Sequence, residues 1–229
     1  DPWYDFNSHV TSTFLLLALS RERGVRRFIY ASSMAVYGDT QAIPVMEDHP
    51  KLPKTFYGAA KLAAESYVTL HHSLGIDTTV FRMFSVYGPN QDLANKIQGM
   101  ASIYLSYLLE QRPILVKGSA DRFRDFIFVD DVVSAWMSAL DNPRTFGRTY
   151  NLATGVKTTV RKLLDALLEG AGKPDHPVEF LGNTPGDQFG VVAHIGRLQE
   201  DLGWSPKWNL KAGVGRMIEF YQRPRAGVA

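Results

Sequence analysis

The sequence predicts an α/β protein, a parallel sheet with helices on both faces. Helical and strand patterns alternate along the 229 residues. No tight-hairpin signal joins consecutive strand segments, and the first of those segments is apolar enough for the middle of a sheet.

The elements follow in order. Val10, Phe14, Leu17 and Ala18 carry helical spacing from Ser8 to about Arg23, with Asn7 or Ser8 as N-cap and Gly24 as the stop. "VRRFIYASS", rich in β-branched and aromatic residues, reads as a buried strand. A loop marked by Gly38, Pro44, Pro50 and Pro53 leads to an alanine-rich helix from Phe56 to Ser73, ended by Gly75. "DTTVFRMFSVYGP" is one further strand, closed by Gly88 and Pro89.

Beyond Pro89 a helix is predicted from Lys96 to Glu110 and a strand over Ile114–Lys117. "RFRDFIFVDDVV", a helix, the strand "RTYNLAT" and a helix over Thr159–Glu169 come next. A loop-like Gly/Pro-rich stretch fills 170–190, and the tail reads as two short helices around a Trp-containing loop. A central "RFIYASS" needs strands on both sides. Nothing before it supplies them, so a preceding portion outside this chain is expected; the first residue, which is not Met, points the same way.

Composition removes several functions. Net charge is only +2 and no Lys/Arg block occurs, which argues against a nucleic-acid surface. The absence of cysteine excludes disulfides, thiolate metal sites and thiol nucleophiles. The six histidines (9, 49, 71, 72, 176 and 194) lack ligand spacing, so no metal is expected. His71 and His72, adjacent on a helix, diverge by about 100 degrees. No apolar run reaches about 18 residues and no signal-like N-terminus appears, so no membrane span is expected and the cytoplasm is the default location.

The chemistry concentrates in "FYGAAKLAAE". Tyr57 and Lys61 stand at i and i+4 and share a helix face. A free phenol with a pKa of about 10 is a poor base at neutral pH. A nearby ammonium favours the phenolate and makes it able to take a proton from an alcohol. Ser33, at the C-terminal end of the preceding strand, lies where open parallel sheets bind their ligands.

"RFIYASSMAVYGD", "FYGAAKLAAESY", "FRMFSVYGP", "RDFIFVDDV", "YNLATG" and "PGD…LGWSPK" occur in the order found in extended short-chain dehydrogenase/reductases. The chain resembles the nucleotide-sugar epimerase/dehydratase group of that family from Asn7 to the last helix. The resemblance implies a Rossmann-like sheet, its N-terminal strands absent from this chain, with a smaller C-terminal α/β substrate-binding domain. Residues 1–90 form the partial dinucleotide-binding part, with 125–153 returning to it, and 91–124 with 154–229 bind substrate.

By the same resemblance the cofactor is NAD and the substrate a nucleotide-sugar, a UDP-hexose. Tyr57 is the catalytic base, Lys61 orients the cofactor ribose and lowers the phenol, and Ser33 bonds the reacting oxygen. Ser32, Phe84 and Ser85 line the cofactor pocket, and Ser85, where the family more often has asparagine, begins the substrate contacts. Asn95 touches the diphosphate, Arg124 grips it with a guanidinium fork, and Asp187 contacts a ribose. Arg124 has a plainer alternative, pairing with Asp125 or Asp130. A homodimer through the helices at Ser8–Arg23 and Phe56–Ser73 is also implied.

Departures are as informative. Asn183 and Thr184 stand where an arginine is common before "PGD". His194 replaces the usual aspartate and reads as structural, loosening a loop–helix cap. Met34 and Ala35 occupy the places where related 4,6-dehydratases carry an Asp-Glu pair, so the resemblance is greatest to UDP-glucose 4-epimerase-like members. The glycine-rich phosphate turn is not in this chain; Gly213 and Gly215 lie near the C-terminal helix. Two readings follow: an NAD-dependent nucleotide-sugar epimerase or a related dehydratase or reductase, and a nucleotide-sugar-binding remnant without catalysis.

Overall fold

The computed structural model describes residues 1–40, 43–182 and 189–223. The chain opens on α1 (Pro2–Asp5), a π turn (Phe6–Thr11) and α2 (Ser12–Glu22), which continue one another in right-handed helical conformation. Asp1, not Asn7 or Ser8, caps this run, its carboxylate accepting from the Trp3 amide at 2.9 Å. The earlier start escapes periodicity because the first turns expose their aromatic residues, Trp3 and Tyr4 among them. Gly24, at φ +68°, ends the run where a side chain would be strained.

β1 (Arg27–Ser33) leads through a 3₁₀ turn (Met34–Val36) to α3 (Phe56–His72) and β2 (Asp77–Met83). β1 and β2 are parallel, with Ser32 opposite Arg82 and Ser33 opposite Met83. The strand predicted through Pro89 breaks at Phe84. There the Phe84 amide bonds Leu152 O and the Ser85 amide bonds Asp125 O, so the chain changes neighbours and continues as β3 (Ser85–Tyr87).

α4 (Met100–Leu109) starts later than the expected Lys96. Asn95 Oδ1 accepts from the Ile97 and Gln98 amides in a local turn, and Gly99 lies at φ +89°. β4 (Ile114–Lys117), β5 (Phe123–Arg124), β6 (Phe126–Phe128), α5 (Val129–Leu140) and β7 (Arg148–Leu152) follow. The remainder is β8 (Thr158–Thr159), α6 (Val160–Gly170), β9 (Val178–Leu181), α7 (Gly196–Leu202) and α8 (Leu210–Gln222). β9 falls in the stretch expected to be loop. It pairs in parallel with β4 while leaving Phe180 and Leu181 exposed, so it carries no burial pattern of its own.

The main sheet has the order β1-β2-β7 and is parallel throughout. β3 pairs with β6, β4 with β9, and β5 with β8, the last antiparallel. Among the described residues β1 is paired on one side only. One core packs Phe81, Ile127, Ala135, Tyr150, Leu152 and Trp204 around the main sheet. A second joins α4, α6 and α8 through Leu105, Leu108, Leu163, Leu167, Val214 and Met217. Each such buried leucine contributes about 1.5–3 kcal/mol. Among the described residues no helix is long and apolar enough to cross a membrane.

Candidate active site

Ser33 ends β1 and caps the following 3₁₀ turn, its hydroxyl accepting from the Ala35 amide at 3.2 Å. α3 begins close beside it. Thr55 caps α3 through the Gly58 amide at 3.0 Å. A Cβ at Gly58 would stand 2.5 Å from the Ala35 carbonyl oxygen, so glycine lets the first turn of α3 seat against the serine turn. Ala60 and Ala64, both buried, continue that close approach. Tyr57, between the cap and this glycine, is thereby brought into one cleft with Ser33, whose hydroxyl acts on the phenol.

Burial raises the Tyr57 phenol above its ordinary value; the Ser33 hydrogen bond opposes this and the Asp5 carboxylate adds to it. Lys61, one turn on, donates to Ala31 O at 2.9 Å, and its ammonium lies 5.7 Å from the centre of the Tyr57 ring. It also lies 5.1 Å from the Tyr30 ring. Burial lowers its pKa, and no carboxylate among the described residues pairs with it. The sequence reading expected Lys61 to draw the phenol down. In this arrangement desolvation prevails, with the ammonium over the face of the ring, and both groups are pushed toward their neutral forms.

A cleft of about 610 Å³ opens at the C-terminal ends of β1 and β2, and Ser33, Tyr57, Phe84, Ser85, Asn95 and Arg124 all line it. Lys61 lies behind the wall. Ser32 also borders the cleft, but its hydroxyl donates to Glu65, away from any ligand. Arg124 is buried and donates to Phe123 O at 2.8 Å. The Asp125 carboxylate, its suggested alternative partner, instead accepts from Thr154, Gly155 and Ala193. Asp187, with Asn183 and Thr184, lies outside the described residues. His194 accepts from the Gly196 amide at 3.3 Å at the start of α7, so it contributes to the cap it was expected to loosen.

Two features escaped the sequence reading. Glu65, one turn beyond Lys61, forms a buried ion pair with Arg82 at 2.7 Å. Arg82 also donates to Tyr37 Oη and Glu47 O, while Tyr37 donates to Asn151 Oδ1 at 2.6 Å. The signal was the spacing: 57, 61 and 65 repeat every four residues on one face of α3. The other is His9, whose ring meets that of Tyr57 at 80°, centroids 5.1 Å apart.

With this geometry established, known proteins sharpen the picture. The model of the NAD dependent epimerase/dehydratase family matches residues 1–153. A UDP-glucose 4-epimerase of Mycolicibacterium smegmatis is 35% identical over 97% of this chain and 71% of its own. The crystal structure of a Thermotoga maritima UDP-glucose 4-epimerase with UDP-glucose superposes with a TM-score of 0.91 at 30% identity, covering 97% of this chain and 72% of that one. A Thermus thermophilus UDP-glucose 4-epimerase in complex with NAD gives 0.88 at 29% identity, with the same coverage.

Proposed function

The chain belongs to the NAD dependent epimerase/dehydratase family, and from that premise we propose that it epimerises a nucleotide-sugar, a UDP-hexose, at C4. The observation that carries this reading is one cleft wall that brings Tyr57 and Ser33 together, with the Lys61 ammonium 5.7 Å from the centre of the phenol ring.

The residues present fit the nicotinamide end of NAD. Lys61 has three N–H donors, of which Ala31 O takes one, and the other two suit ribose hydroxyls. Phe84 offers an apolar wall beside Ser85. NAD, when bound, supplies reversible acceptance of a hydride from the sugar carbon.

The chain's own residues handle the proton and the orientation. Tyr57 takes the proton of the sugar hydroxyl as its carbon is oxidised and returns it when the carbon is reduced from the other face. Ser33 holds the reacting oxygen. A positive charge on the bound cofactor would add to that of Lys61 and offset the burial that raises the phenol's pKa. Asn95 and Arg124 take the diphosphate, the latter by a forked charge-assisted contact. Asp187 contacts a ribose.

Met34 and Ala35 favour epimerisation over dehydration. Beside Ser33 they offer no carboxylate to move a second proton and expel water. We further propose that residues 1–90 and 125–153 hold NAD while 91–124 and 154–229 hold the nucleotide-sugar. The working unit is a homodimer through α2 and α3, whose outer faces expose Phe14, Leu15 and Leu70; sedimentation of a monomer at micromolar concentration would contradict it. The deciding experiment incubates the full-length protein with UDP-hexoses and analyses products and bound NAD by mass. Interconversion at C4 with bound NAD is the expected result. A bound nucleotide-sugar without turnover or NAD would identify a binding remnant.

A further inference from the structure

We propose that His9 is a positioning residue for Tyr57, its imidazole buttressing the phenol ring in the orientation that reaches Ser33. The proposal rests on the reading of Tyr57 as the base. His9 lies in the π turn Phe6–Thr11, the one such turn among the described residues, where the wider backbone interrupts the α-helical run between α1 and α2. Single π turns inside helices often mark functional positions. This one packs against α3, and through it His9 reaches the second residue of that helix, in a ring contact of the T-shaped kind that aromatic pairs prefer.

The charges around His9 are few and specific. α1 supplies Asp5, one turn earlier, and α3 supplies Lys61 and the Tyr57 phenol. The charged residues of α2, Arg21 and Glu22, sit at its far end. Burial and the Lys61 ammonium hold the imidazole below its ordinary pKa, against the pull of Asp5. At neutral pH the ring is therefore uncharged and packs on the phenol without adding a second cation beside Lys61. Protonation in acid places two positive charges around one phenol ring and loosens the contact.

The sequence reading passed His9 over because a lone histidine without ligand spacing carries no pattern. What identifies it is tertiary: the contact is with Tyr57, far along the chain on a different helix.

The test uses the full-length enzyme with NAD, His9→Ala and His9→Phe, with pH profiles of kcat and KM. His9→Ala is expected to lower kcat about tenfold with KM nearly unchanged, the pattern of a base held slightly out of place. His9→Phe restores the packed ring, recovers most of that rate, and lacks the acid fall of kcat shown by the unmodified protein. A second readout is independent of turnover. Imidazole titration by NMR, with the His9 signal assigned by its loss in His9→Phe, should place it below 6.5, and Lys61→Met should move it upward. Unchanged kcat and pH profile in His9→Ala, or a His9 titration at its ordinary value and indifferent to Lys61→Met, overturns the proposal. If Tyr57→Phe is inactive while His9→Ala behaves as the unmodified protein, His9 alone is misassigned. Full activity of Tyr57→Phe means that the reading of the base has failed.

Discussion

Lys61, on α3, and Arg82, reaching that helix from β2, both place a cation on one face of it, and their surroundings are opposite. Arg82 donates to both Glu65 oxygens, to Tyr37 and to Glu47 O, and is buried with every contact satisfied. Lys61 has one carbonyl oxygen and two aromatic rings, and burial lowers its pKa with no carboxylate among the described residues pairing with it. Four residues of helix separate the site that completes its charges from the one that leaves them open. The first ties β1, β2 and α3 together; the second sets an ammonium against the ring of a phenol that lines the cleft. Functional sites are expected where a protein tolerates such unmet charge at a cost in stability.

Substitutions break this comparison in opposite directions. The largest effect is expected at the phenol: Tyr57→Phe should lower turnover by roughly 10²–10⁴-fold, the usual contribution of a general base, measured by product formation from a UDP-hexose. Arg82→Ala should come next, destabilising the fold by about 3–5 kcal/mol in urea titration because Glu65 is left buried and unpaired. A loss below about 1 kcal/mol would mean that water already reaches the pair.

Lys61→Met sharpens the contrast. Turnover should fall at least about tenfold as the proposed ribose contact is lost, while relief of the buried ammonium raises stability, seen as a higher melting point. Its pH dependence has a definite sign. The folded-state pKa of Lys61 lies below the unfolded value of 10.5, so the charged lysine costs stability at neutral pH. That cost declines as pH rises through the folded value and is gone above 10.5, so the stability gap between the variant and the unmodified protein should close in alkali. Gly58→Ala tests the seat of the phenol: a loss of stability of about 1–3 kcal/mol is expected from the clash with Ala35 O, with turnover reduced because Tyr57 is levered from Ser33.

Much of the frame was legible in the sequence. α3 shows its boundaries because Thr55 and Gly75 bracket an unbroken helical pattern, and β4 shows its own because three apolar residues, Ile114, Leu115 and Val116, stand between turns. The convergence of Ser33 and Tyr57 was also legible, since a strand end and a capped helix start have few ways to meet. What was hidden depends on tertiary neighbours. β9 is defined by pairing with β4 rather than by burial, and the break at Phe84 by a change of partner strand. Glu65 and Arg82 look like surface charges until Ser32, opposite Arg82 in the sheet register, is found donating to the same carboxylate. The direction of the Tyr57 shift was misjudged for the same reason: spacing places an ammonium nearby, but desolvation is set by everything else packed around the ring.

The central claim is that one phenol in the cleft moves the proton while other residues only hold the nucleotide-sugar. Calorimetry and turnover on the same preparation of Tyr57→Phe test it most directly. The account predicts affinity for the UDP-hexose within about threefold of the unmodified protein and turnover reduced at least about a hundredfold. Turnover within a few-fold of the unmodified protein, at equal affinity, would contradict it.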